Sequence, residues 1–193
     1  MSYDGYPRER RLRSTELSVE GQAKSRCYQR QRQERIALAN AVQARNDEPS
    51  MLWNLYIRNG IVYVPTVAKT EAGFYMDIDP VRTVPVVESD RLQAAVAAAI
   101  SDGNPAIPTP SYGAFPKPVI LKHAAVRSWA AFERSATYWR ISEKEGRYCI
   151  GPGRRAADRG WEGPVHEELL PAGTTVNTVA QRVASLLADA ART

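Results

Sequence analysis

MLWNLYIRNGIVYV, Met51 to Val64, changes the period of the chain. Trp53, Leu55 and Ile57 fall on one side of an extended backbone, with Asn54, Tyr56 and Arg58 on the other. Alternation of this kind is what a strand with two unlike faces requires. Asn59-Gly60 follows, and both residues tolerate positive φ, the demand of a type I′ hairpin turn. The chain then resumes as Ile61-Val-Tyr-Val64, so the stretch reads as a β-hairpin and the region around it as strand-rich.

Downstream, Phe74, Met76 and Ile78 alternate with Tyr75, Asp77 and Asp79, which predicts a third, half-buried strand. Val81 to Val87 predicts a fourth, placed at an edge or strand end by Pro85, since proline cannot donate to a ladder. Ser89 or Asp90 can cap a helix carrying Leu92, Val96 and Ile100 on one face, closed by Gly103. Five prolines between Gly103 and Pro118 predict a long irregular connection. Val119 to Leu121 is expected as a short strand and Ser128 to Phe132 as one or two helical turns. Thr137 to Ile150 reads as a second hairpin turning at Gly146, followed by a strand over Trp161 to Val165. Thr174 or Thr175 then caps a closing helix with Val176, Val179, Val183, Leu186 and Leu187 in one stripe.

Upstream, residues 1 to 15 are polar and basic, and Glu16 to Arg45 has helical composition with a thin apolar stripe. The domain reading is a basic, partly disordered or helical leader over 1–50 and a single α+β domain over 51–193. The leader is read as dispensable or as an over-extended start. In outline the α+β domain is two antiparallel four-stranded half-sheets, each followed by a helix.

The full chain has 193 residues, 44% hydrophobic and 24% charged, values of an ordinary globular protein rather than a disordered one. Its longest apolar run, Ala94 to Ile100, is too short to cross a bilayer, and no apolar run follows the basic N-terminus as in a secretory signal. A soluble, cytoplasmic protein is expected. The net charge is +5, but nine Lys/Arg against four Glu lie between Arg8 and Arg35. The basic balance is therefore not a nucleic-acid footprint of the folded part. Cys27 and Cys149 are too few for a disulfide framework or a metal cluster of their own.

Candidate chemistry is sparse. Asp77 and Asp79 would stand about 7 Å apart on one strand face, a spacing that can hold a divalent ion. No further ligand has a nuclease-like spacing, so a solvated face is the reading taken. His123 and His166 lack a nearby nucleophile elbow. Gly151-Pro-Gly-Arg-Arg155 is a weak candidate anion site through Arg154 and Arg155, without the ending of a phosphate loop. Tyr138, Arg140 and Trp161, with Lys122, Arg127, Trp129 and Arg134, interleave aromatic and basic residues. Both protein interfaces and single-stranded nucleic-acid grips use that mixture. No motif calls for a cofactor or metal, and the chain is read as non-enzymatic.

TYWRISEKEGRYCI (137–150), Gly160-Trp161 and PAGTTVNTVAQRVASLLADA (171–190) resemble the small immunity proteins of bacterial contact-dependent growth-inhibition systems. One branch of that family has a Whirly-like fold. The resemblance implies a non-catalytic protein that binds and occludes one cognate toxin nuclease domain. Tyr75 with Asp77, Asp79, Glu143 and Glu145 is then the candidate acidic contact patch, extended by Tyr138, Arg140 and Trp161. The alternative is a single-stranded nucleic-acid-binding protein of Whirly-like shape. No membrane partner is expected.

Overall fold

The hairpin centred on Asn59-Gly60 forms as its sequence dictates. A computed structural model of the chain describes residues 49–111, 113–156, 160–164 and 166–192. The expected leader helix over 16–45 lies outside the described residues. Strand β1, Met51–Arg58, turns through Asn59 (φ 51°) and Gly60 (φ 74°) into β2, Ile61–Thr70. Tyr56 stands opposite Tyr63 and Ile57 opposite Val62.

Strand β3, Tyr75–Pro85, is one element where two strands are expected. Its pairing with β2 slips between Pro65 and Thr66: Ile78 faces Thr66, whereas Val81 faces Pro65. Asp79 and Pro80 are left outside the ladder. A bulge absorbs residues that cannot pair and lets the strand run on, which local alternation does not reveal. β3 is an edge strand, as Pro85 predicts.

Helix α1, Ser89–Asp102, buries Leu92, Ala95, Val96, Ala99 and Ile100, and ends at Gly103 with φ 67°. Glu88, rather than Ser89 or Asp90, holds the N-cap position. The two-residue strand β4, Ala106–Ile107, pairs parallel to the end of β2. Ile120–His123 forms a single helical turn, α2, in place of the expected strand. Three apolar residues carry no period that separates strand from helix, and Ile120 is fully buried by packing alone. α3, Trp129–Glu133, is capped by Ser128, whose hydroxyl accepts from the Ala131 N–H.

The second hairpin joins β5, Ala136–Lys144, to β6, Arg147–Arg155, through Glu145 and Gly146, both at positive φ. β7, Trp161–Pro164, and β8, Glu168–Leu169, pair with β6. The closing helix α4, Val176–Ala190, is capped by Thr175, which accepts from the Thr178 N–H.

Among the described residues the strands form an eight-stranded sheet with path β3-β2-β1-β5-β6-β7, β4 beside β2 and β8 beside β6. β1 pairs with β5 along its whole length, Met51 opposite Glu143 through Arg58 opposite Ala136. In place of two four-stranded half-sheets, β1–β3 and β5–β8 are joined by the β1–β5 pairing into one sheet, because β1 has a free edge that β5 can fill along its length. Both longer helices cover one face, where Trp53, Leu55, Ile57, Val62, Ile141 and Ile150 meet Leu92, Val96, Val183 and Leu187. Trp53 is 1% exposed, and its indole N–H donates to the Ala99 carbonyl at 3.0 Å, so burial leaves no unmet donor. No helix among the described residues is long and apolar enough to cross a membrane.

The paired stretch of β1 and β2 runs only from Tyr56–Tyr63 to the turn, and a side chain spans the gap beyond it. The Asn104 amide accepts from the Leu52 N–H at 2.9 Å and donates to the carbonyls of Leu52 (2.8 Å) and Val67 (2.9 Å). It replaces missing rungs between separating strands. Asn104→Ala should therefore lower the unfolding free energy in urea by about 2–4 kcal/mol, the cost of stranding these partly buried groups. Asn104→Asp keeps the acceptor but loses both donors, and should recover only part.

Candidate functional site

The second face of the sheet is built on Asn54 and Tyr56, two residues apart on β1 and so aimed the same way. The β1–β5 register sets Tyr56 opposite Tyr138, with ring centroids 5.5 Å apart. Trp129 and Phe132 of α3 approach the Tyr56 ring edge-on at 6.0 and 5.7 Å, and Trp161 of β7 lies 5.5 Å away. With Tyr63, Val81, Ile120 and Ala136 these rings make a second core under α2, α3 and β7.

A chain of hydrogen bonds crosses this face beside the rings. The Tyr138 hydroxyl donates to Asn54 Oδ1 at 2.7 Å, and Asn54 Nδ2 donates to Asp77 Oδ1 at 2.7 Å. The Tyr56 hydroxyl donates to Asp77 Oδ2 at 2.6 Å. Each oxygen of the Asp77 carboxyl thus has a donor. Burial pushes the Asp77 carboxyl up from its ordinary value, and the bonds from Tyr56 and Asn54 pull only partly the other way. Burial likewise raises Tyr56, with the Asp77 charge adding to it, and raises Tyr138.

This corrects the expectation that Asp77 and Asp79 share a solvated face as a presented pair. Asp77 is half-buried with both oxygens bonded, while Asp79 sits in the bulge and is exposed. The Asp79 carboxylate pairs with Lys122 and with His123 Nε2 (3.0 Å), and these bonds hold it below the usual carboxylate range. Among the described residues no group of His, Cys, Asp and Glu converges as a metal site. His166 is exposed. Cys149 is half-buried, and burial raises its thiol.

The remaining candidate contacts are scattered. The Tyr75 hydroxyl donates to the carbonyls of Pro49 (3.1 Å) and Ser50 (3.0 Å), while Lys69 stands 5.1 Å over its ring. The Glu143 carboxylate accepts from the Gly146 N–H at 2.6 Å, and its carbonyl accepts from Ser50 N–H. Tyr75 and Glu143 therefore hold the same segment at one end of the sheet, with Glu145 exposed in the adjoining turn. Arg140 pairs with Glu167 at 3.1 Å. Trp161 is absorbed into the aromatic cluster.

Gly151 to Arg155 belongs to strand β6 rather than to a loop. Arg154 pairs with Glu162, and Arg155 donates to the Glu133 carbonyl, so both guanidinium groups already have protein acceptors. The two glycines answer to packing. A Cβ on Gly151 would stand 2.3 Å from the His166 carbonyl oxygen, and one on Gly153 would stand 2.1 Å from the Tyr138 ring.

Beside the Asp77 network, β3 and the α2 region enclose a cleft of about 730 Å³. Ile78, Val119, Leu121 and Val126 give it apolar walls, and Lys117, Lys122 and Arg127 line it together with Asp77 and Asp79. Sequence reasoning flagged Lys122 and Arg127 only as basic neighbours of aromatic residues and missed the cleft. Its walls come from three separate segments, so no local pattern announces it.

No family model and no curated protein matches the sequence. Among solved structures, a protein of unknown function from Neisseria meningitidis aligns over 73% of this chain and 94% of its own. The TM-score is 0.52 and the identity 12%. The CdiA-CT/CdiI toxin and immunity complex from Yersinia pseudotuberculosis aligns over 71% of this chain and 96% of the matched chain, with TM-score 0.48 and 13% identity. Identities this low speak to the fold alone.

The raised Asp77 carboxyl sets a sign for pH dependence. Its folded value lies above its unfolded one, so it stabilises most when protonated, and that contribution is lost as pH rises through the raised value. Asp79 and Glu168 are lowered and act in the opposite direction, but they are common to wild type and variant. The unfolding free energy of wild type minus that of Asp77→Asn should fall as pH rises above about 4, the ordinary value of an unfolded aspartate. A flat or rising difference would refute the raised-carboxyl account. Gly153→Ala should cost roughly 1–3 kcal/mol by overpacking against Tyr138. The cost should shrink in a Tyr138→Ala background, as a double-mutant cycle would read directly.

Proposed function

We propose that the protein works by binding, as an immunity protein that occludes a toxin domain rather than as a catalyst. The observation that supports this most is the internal matching of the acids on the second sheet face. Both Asp77 oxygens accept protein donors, and Asp79 is held by Lys122 and His123. A general acid or base needs a group free to exchange a proton with substrate. Here those groups are spent on holding shape. The sequence resemblance to contact-dependent growth-inhibition immunity proteins, with a Whirly-like fold as part of it, supplies the kind of partner.

The contact chemistry differs from a simple acidic patch. Asp77 is half-buried with both oxygens bonded and Asp79 is paired, while Lys117 and Arg127 are exposed on the same side. The toxin surface that meets this side should carry acidic or neutral groups, with complementarity steering the encounter. Nucleic-acid stacking has less support, because Trp129, Tyr138 and Trp161 pack against other rings of the cluster.

Co-expression with the toxin domain encoded beside its gene tests the proposal. Growth should be protected, and the two chains should co-elute on size exclusion. A toxin that stays active and elutes alone, or the lack of any adjacent toxin gene, would overturn it. Fluorescence anisotropy with a labelled single-stranded oligonucleotide at low salt should show no binding; saturable, salt-sensitive binding would instead favour the nucleic-acid reading.

A further inference from the structure

We infer that the cleft between β3 and the α2 region is a binding site for a small organic anion, an apolar body bearing one carboxylate or phosphate. This stands on the cleft's own lining and is tested without toxin, although Lys117 and Arg127 also lie on the side proposed to meet the toxin. At about 730 Å³ the cleft has the size of a small-molecule site, and its make-up follows the usual pattern of apolar walls with a few placed polar groups. Ile78, Val119, Leu121 and Val126 are all half-buried side chains that would gain from being covered. Pro116 and Pro118 restrict the backbone of one wall, so little order would be lost on binding.

The charge at the margin gives the class of ligand. Several arginines elsewhere in the fold are spent on acids: Arg82 on Asp102, Arg140 on Glu167, Arg154 on Glu162 and Arg182 on Glu168. Around the cleft the balance tips. Asp79 takes Lys122 and His123, leaving Lys117 and Arg127 exposed with no acidic partner among the described residues. A guanidinium and an ammonium at the margin of an apolar cleft suit an anionic head above an apolar body. A cationic ligand would meet Lys117 and Arg127, while both carboxylates of the lining already have protein donors, Asp77 from Asn54 and Tyr56 and Asp79 from Lys122 and His123.

NMR titration of the full chain with phenyl phosphate, benzoate, inorganic phosphate, benzyl alcohol and benzylamine tests this. Phenyl phosphate or benzoate should bind saturably and shift the amides of Ile78 and of residues 117–127. The tighter of the two identifies the head group. Inorganic phosphate and benzyl alcohol should each bind about tenfold or more weaker, and benzylamine should not bind. Lys117→Ala with Arg127→Ala should weaken the preferred anion about tenfold and leave benzyl alcohol unchanged. Both positions are exposed, so an unchanged melting temperature is expected and would show that the variant is folded. Shifts centred elsewhere, equal binding of anion and benzylamine, full affinity in the double variant, or no saturable binding would overturn the assignment.

Discussion

Strand β1 carries the constraint on which the rest depends: it is central in the sheet and covered on both faces. Its outer rungs pair with β2 for a short stretch and with β5 throughout. One face sends Trp53, Leu55 and Ile57 under α1 and α4, and the other sends Asn54 and Tyr56 into a second, partly polar core. A strand in that position must satisfy every polar group it buries, because an unpaired one costs more than a made bond returns. Trp53 answers with the Ala99 carbonyl, Asn54 with Tyr138 and Asp77, and Tyr56 with Asp77.

The same constraint explains why the second face looks like a site and yet is read as scaffold plus cleft. Tyrosines, an asparagine and a carboxyl gathered under tryptophans suggest acid–base chemistry at first sight. Their hydrogen bonds instead run from one protein group to the next, and such a closed network makes a surface rigid. Rigidity of the face then carries over to the cleft beside it, since Asp77 of β3 belongs to the network and, with Ile78 and Asp79, lines the cleft. Exposed ion pairs such as Arg91 with Glu88 and Arg182 with Glu168 add little stability by comparison, because water screens them.

Much of the fold is legible in local pattern. Asn59-Gly60 marks the first hairpin, Glu145-Gly146 lies where the second turns, and the stripes of Leu92 to Ile100 and Val179 to Leu187 mark the two longer helices. What escapes notice is set by distant partners. β3 continues past Pro80 because β2 tolerates a slip at Pro65/Thr66, and α2 is helical because Ile120 fits the second core. The candidate site was less legible than the fold. Tyr138 and Asp77 were singled out, but as presented residues, whereas Asn54 and Asn104 passed as ordinary polar positions on strand and loop.

Taken alone, the sequence determines the alternation of strands, the turns that accept positive φ and the apolar stripes of the helices. These rest on neighbours within a few residues along the chain, so the pattern is complete in the text of the sequence. Only the tertiary structure decides which polar residues are enclosed and which are offered to solvent. The partners that enclose Asn54 lie 23 and 84 residues away, at Asp77 and Tyr138. The cost of burying a carboxyl is paid or avoided by those partners, and alternation along one strand cannot report whether they arrive.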